Sequence, residues 1–194
     1  MTTRQLTFTR IQDTTADDWA IINTRPDTKL FEELPDRLLG ALRFLENVDF
    51  YTVNGLEHSL QAATRALRDG RAAEYVVAAL VHDVGDLLGP RNHAGVAASI
   101  LRPYVSEKIA WIVEHHTVFQ FNHFGHHIGI DPDMRDVYLG HPYYDDTAEF
   151  ADLYDSESFD PSYEPLPLER FDPLLRRVFV SSERSPFELA SKDP

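Results

Sequence analysis

The stretch Ala72-Ala73-Glu74-Tyr75-Val76-Val77-Ala78-Ala79-Leu80-Val81-His82-Asp83-Val84-Gly85-Asp86 decides how this chain folds and what it can hold. A helix apolar all round is a buried one, so this stretch predicts a core helix over 72–84 that stops at Gly85. An imidazole and a carboxylate stand side by side where it ends, and both are ordinary metal ligands. Neighbouring side chains on a helix diverge by about 100°, so the two reach one ion only at a helix terminus. A carboxylate has two oxygens and can hold one ion with each, which makes Asp83 the natural bridge between two metals.

Further donors accompany this pair along the chain: His58 upstream, then His93, His115, His116 and Asp155. One such residue alone reads as a surface or hydrogen-bonded core side chain, but the series points to a two-metal site. His58 and Asp155 would complete one shell, and His93 and His116 would hold the second ion. This set of imidazoles and carboxylates suits iron or manganese and also takes zinc or nickel. Six protein donors leave open positions on both ions, the mark of a catalytic site.

With 194 residues and 43% hydrophobic content, one domain with a proper core is expected. Lys and Arg number 18 against 32 for Asp and Glu, a formal charge of −14. Such a surface repels phosphate backbones and anionic membranes, so neither nucleic acid nor membrane is an expected partner. The absence of cysteine excludes disulfides, iron–sulfur clusters, thiolate zinc sites and a cysteine nucleophile. Met1-Thr2-Thr3-Arg4-Gln5-Leu6 lacks the apolar core of a signal peptide, and a soluble, cytoplasmic protein, monomer or homodimer, is expected.

The pattern predicts an all-α bundle. Residues 1–30 form an irregular N-terminal segment with one short helix near Asp17-Asp18-Trp19-Ala20-Ile21-Ile22; a domain spans 31–180; 181–194 are a flexible tail. Pro35 opens a helix reaching about Asn47, with Leu38, Leu39, Leu42 and Leu45 on one face. Helices are also expected over 56–69, stopped by Gly70, over 93–101, and from an N-cap at Ser106 to about Phe119. An aromatic, histidine-rich loop carrying His123, His126 and His127 would then cover the pocket, before helices over 132–139 and 144–157 and a last one near Arg176-Arg177. Arg65, Arg68 and Arg71 read as a solvated helix face, and Glu57 as a first-turn carboxylate favouring the helix dipole.

His58, His82-Asp83 and Asp155 resemble the His…His-Asp…Asp signature of the HD-domain superfamily, a helical bundle with its metal site between core helices. The superfamily hydrolyses phosphate esters or oxygenates substrates with a mixed-valent iron pair. Leu56-Glu57-His58-Ser59-Leu60-Gln61, Asn92-His93 and Glu114-His115-His116 are similar to the oxygenase branch. Its members act on 2-trimethylamino- and 2-amino-1-hydroxyethylphosphonates or, more distantly, on myo-inositol. The resemblance implies two iron ions, Fe(II) and Fe(III), held by His58, His82, Asp83, His93, His116 and Asp155. It further implies O2 as co-substrate and carbon–phosphorus cleavage of a small molecule to a carboxylate and phosphate. A metal-dependent phosphohydrolase is the alternative.

Asp86, His115 and Gln120 are the candidate catalytic side chains beside the ions. His115 would be a neighbour of the ligands, although two consecutive histidines offer alternative registers. Asp86 replaces the Lys or His of many relatives, which suits a cationic group or the orientation of a ligand imidazole. Tyr51, Phe119, Phe121, Phe124, Tyr143 and Tyr144 are candidates to face a trimethylammonium. Gln120 stands where relatives carry a basic phosphonate anchor; Arg91, Asn92, His123 and Arg170 are candidate replacements.

Overall fold

The computed structural model describes residues 6–24 and 32–180. The fold is all-α. Among the described residues the helices are α1 (Ala16–Thr24), α2 (Leu34–Phe44), α3 (Gly55–Arg68), α4 (Ala73–Val81), α5 (His93–Leu101), α6 (Glu107–Phe124), α7 (Tyr144–Phe150) and α8 (Asp172–Val180). The expected N-terminal segment is described from residue 6 to 24, where it carries α1; the tail expected from Ser181 lies outside the described residues. No described helix is long and apolar enough to cross a membrane.

The centre of the bundle is α4, whose residues from Tyr75 to Val81 are all buried. It packs against α3, α6 and α8. Around it α2 contributes Leu38, Leu39 and Leu42, with Leu45 just beyond its end; each fully buried leucine stabilises by about 1.5–3 kcal/mol. The α3 helix opens on Asn54, whose side chain accepts from the Glu57 N–H at 2.8 Å. It closes at Gly70, whose φ of 73° lets Arg71 N–H reach the Ala66 carbonyl at 3.0 Å.

Four expectations need correction. The central helix stops at Val81, not at Val84. The His82 ring takes the Ala79 carbonyl at 2.8 Å, the acceptor the Asp83 N–H would use to continue the helix. Second, α6 runs to Phe124, so most of the predicted histidine-rich loop is helix. Ser106 is its N-cap residue as expected, but the Ser106 side chain makes no cap hydrogen bond, and the Ser106 N–H donates to Glu74 at 2.9 Å. Third, 144–157 is not one helix: α7 widens at Ala151–Asp155 into a π-turn, closed by Ser156 N–H on the Ala151 carbonyl at 2.9 Å. Likewise, 132–139 forms only the short 3-10 turn Met134–Tyr138.

Fourth, the arginines of α3 are more than a solvated face: Arg68 is exposed as expected, yet it and Arg65 both also hold a neighbouring segment. Arg65 donates to the Glu157 carbonyl at 2.7 Å and lies 4.0 Å over the Tyr163 ring, while Arg68 donates to the Tyr163 hydroxyl at 2.7 Å. Together with Gln61, which donates to the Asp160 carbonyl at 2.7 Å, they strap residues 156–164 along α3. Arg71 instead bonds the Tyr154 hydroxyl at 2.7 Å. A two-residue antiparallel ribbon, β1 (Asp49–Phe50) and β2 (Val53–Asn54), precedes α3 and turns through Tyr51 at φ 51°. A left-handed non-glycine residue costs roughly 1–2 kcal/mol, and with the Tyr51 side chain exposed it is the flanking strand pairs, not burial, that hold it there.

After Asp83 the tight turn Val84–Leu87 presses against the start of α5, and Gly85 makes the approach possible. A Cβ there would stand 2.2 Å from the His93 carbonyl oxygen. Gly85→Ala must therefore push α5 outward, and overpacking of this kind costs about 1–3 kcal/mol. Urea unfolding of the variant is expected to show that loss, whereas an unchanged midpoint would mean that the α5 start yields freely.

Candidate metal centre

Six donors from separate parts of the fold meet at one end of the bundle. His58 comes from the first turn of α3, His82 and Asp83 come just after α4, His93 begins α5, His116 lies midway along α6, and Asp155 closes the π-turn. All six are buried except His93, which is half-buried. Each imidazole is oriented by its Nδ1. The His58 Nδ1–H donates to the Ser158 carbonyl at 2.9 Å, that of His82 to Ala79 at 2.8 Å, and that of His116 to Val113 at 2.6 Å. His93 Nδ1 lies 3.4 Å from both the Pro90 carbonyl and an Asp86 carboxylate oxygen. A carbonyl can only accept, so these contacts assign the proton to Nδ1 and leave Nε2 as a lone pair.

The Nε2 atoms converge in two groups. In the first, His58 and His82 are 3.1 Å apart, each 3.3 Å from Asp83 Oδ2, and Asp155 Oδ1 lies 3.4 and 3.7 Å from them. In the second, His93 and His116 are 3.2 Å apart, with Asp83 Oδ1 at 3.4 and 3.3 Å. Donors roughly 2.0–2.2 Å from a shared ion stand about 3–3.5 Å from each other, so both groups have metal-binding spacing. Asp83 Oδ1 and Asp155 Oδ2 are buried without a hydrogen-bond partner. Acceptors facing acceptors are tolerable only around positive charge, so the residues present fit two metal ions.

Without ions the same contacts call for protons. Burial alone would lower His58, but its hydrogen bonds to Asp155 and Asp83 outweigh burial and push it up to about 9. Burial likewise opposes a charged His82, yet the Asp83 carboxylate raises it well above its ordinary value. Burial would raise Asp83 and Asp155; the imidazoles around them, His82 foremost for Asp83 and His58 for Asp155, hold both below the usual carboxylate range.

The HD-domain family model matches residues 55–156, more than half of the chain and the part that supplies all six donors. The chain belongs to the HD-domain family. No curated protein matches it. HD domains are typically metal-dependent enzymes, hydrolases or oxygenases, and the buried His/Asp groups of this HD domain are able to hold a metal ion.

A cavity of about 440 Å³ opens onto the centre, lined by Asp83, His93, His116 and Asp155 and also by Asp49, Tyr51, Asp86, Pro90, Gln120 and Phe159. Of the proposed catalytic and substrate residues, Tyr51, Asp86 and Gln120 are there. The Gln120 amide donates to Asp155 Oδ1 at 2.9 Å and so orients a ligand. Burial and the nearby Asp83 charge raise Asp86 above the ordinary carboxylate value.

The remaining sequence candidates lie elsewhere. A 100° step along α6 carries His115 away from the donor cluster, and it stacks on Trp111 at 3.9 Å. Phe119 is fully buried with Trp111 in a second core cluster, against which Tyr143 and Tyr144 pack. Phe121 and Phe124 face each other at 5.5 Å. His123 is exposed and pairs with Asp152 at 2.9 Å rather than covering the pocket from a loop. Asn92 and Arg91 are exposed, Asn92 folding over Gly95, and Arg170 is exposed on the turn Leu168–Arg170. Sequence reading missed Asp49, Phe159 and Thr117. Phe159 lies 4.5 Å from the His58 ring and 5.5 Å from Tyr51, placed by the strap just after Asp155. Position next to a ligand was the available signal for Thr117, and position shortly after one for Phe159.

The raised His58 contributes stability that is complete below its ordinary 6.5 and is lost as pH rises through about 9. Chelator-treated protein is thus expected to weaken across that window in denaturant titrations, while its metal affinity rises as the imidazoles deprotonate. A flat profile there would contradict a proton-held cluster. Asp83→Asn removes the shared charge, and elemental analysis is expected to show both ions lost; retention of both would deny the bridging role.

Proposed function

We propose that this HD domain is a di-iron oxygenase that oxidatively cleaves the carbon–phosphorus bond of a 1-hydroxy-2-(trimethyl)aminoethylphosphonate-type substrate, giving a carboxylate and phosphate. The observation carrying the proposal is the cavity wall. Asp83, His93, His116 and Asp155 line the cavity together with two further carboxylates and two aromatic rings, and no Lys or Arg lines it among the described residues. Such a wall suits a small substrate with a cationic end. A nucleotide or other polyanion would require several basic contacts, which weakens the phosphohydrolase alternative.

When bound, two iron ions with O2 supply the redox chemistry, and the chain supplies position and charge. The Asp49 and Asp86 carboxylates oppose the substrate's positive end, and Tyr51 and Phe159 offer ring faces to it. That placement directs the hydroxyl and phosphonate end toward the donors. Gln120 keeps Asp155 turned inward, and Asp86, 3.4 Å from His93 Nδ1, steadies that imidazole. Burial of His58, His82 and Asp155 keeps bulk water from that half of the centre.

Anaerobic iron loading and then partial oxidation are expected to yield the paramagnetic resonance signal of a coupled Fe(II)/Fe(III) pair that shifts on adding a 1-hydroxyphosphonate. Phosphate released from model phosphoesters without oxygen consumption would instead establish the hydrolase. Phe159→Ala is expected to raise KM for a quaternary-ammonium substrate about 2- to 30-fold, the equivalent of 0.5–2 kcal/mol of cation–π contact, with kcat little changed. An equal KM increase for a neutral analogue would mean that the ring does not meet a cation.

A further inference from the structure

Thr117 comes directly after the last imidazole donor and places a neutral hydroxyl within the second donor set. Its Oγ1 lies 2.9 Å from His93 Nε2 and 3.3 Å from His116 Nε2. These separations repeat those among the three recognised donors of that set, 3.2 Å between the imidazoles and 3.4 and 3.3 Å from them to Asp83 Oδ1. Both imidazoles have their Nδ1 directed at acceptors, so both Nε2 atoms present lone pairs to the hydroxyl. A hydroxyl oxygen beside both lone pairs, at separations like those between the donors themselves, stands within reach of an ion that the two imidazoles would hold.

We propose that the Thr117 hydroxyl is an additional oxygen donor to the ion held by His93, His116 and Asp83. The proposal rests on the two-metal reading but not on the oxygenase chemistry. It makes the two halves of the centre chemically unequal: His58, His82, Asp155 and one Asp83 oxygen on one side, a set with a neutral, exchangeable oxygen on the other. The half-buried His93 and Thr117 lie on the less enclosed side. A neutral hydroxyl is a weak ligand, so this half of the centre would hold its ion with the more exchangeable coordination position.

The chain contains no cysteine, which supplies a clean probe. Thr117→Cys loaded with cobalt(II) is expected to show a thiolate-to-cobalt charge-transfer band in the near ultraviolet that wild-type protein lacks. Two cobalt ions bound without that band would overturn the proposal. As a second measure, Thr117→Val is expected to release one of its two cobalt ions to a chelator at about ten-fold lower chelator concentration than wild type, with Thr117→Ser close to wild type. Identical release curves for all three proteins would also overturn it. The wild-type stoichiometry is measured alongside: fewer than two ions there would mean that the two-metal reading has failed, not the assignment of Thr117.

Discussion

The Asp83 carboxylate stands between two pairs of imidazole lone pairs, one oxygen facing His58 and His82 and the other facing His93 and His116. Everything around it is arranged to keep that anion buried. An isolated carboxylate in such surroundings would take up a proton, because burial disfavours its charged form. Here the surrounding imidazoles reverse that tendency and hold Asp83 ionised. The centre is therefore a pre-assembled set of acceptors whose mutual repulsion is relieved by cations, whether protons or metal ions.

The backbone does much of the orienting. Ser158, Ala79 and Val113 each lend a carbonyl to an imidazole Nδ1, which turns Nε2 inward. Two of these carbonyls belong to the turn preceding the histidine on its own helix; Ser158 belongs to the distant strap. That strap is held against α3 by Arg65, Arg68 and Gln61, so side chains facing away from the ions still govern the angle of His58. The same strap delivers Phe159 to the cavity. Ligand orientation and the cavity wall are thus mechanically linked.

The π-turn at Ala151–Asp155 serves the same end. An extra residue in the turn widens the helix locally and shifts the register of the residues after it, and such turns concentrate at functional positions. Asp155 is the last residue of this turn and Gln120 of α6 fixes its carboxylate. The acidic character of the whole chain continues into the cavity, where Asp49 and Asp86 outnumber any opposing cation among the described lining residues. The cavity thus combines acidic side chains and ring faces with the imidazoles and carboxylates of the donor groups.

The helical class, the buried central helix and the donor types were legible because each depends on local patterning. Uniform apolarity from Val76 to Val81 marks a buried helix, and His82-Asp83 marks its functional end whatever surrounds it. The rotation of α6, which turns His116 inward and lays His115 on Trp111, was not legible, since two consecutive histidines carry the same chemistry. Nor was the fate of Phe119, an aromatic residue equally suited to a core or a pocket. By itself the sequence determined an all-α chain with six side chains of metal-ligand type in a fixed order, because periodicity and ligand chemistry are properties of neighbouring residues. Only the tertiary structure decided which oxygen meets which imidazole and which rings line the cavity, because those depend on how elements far apart in the chain rotate and pack against one another.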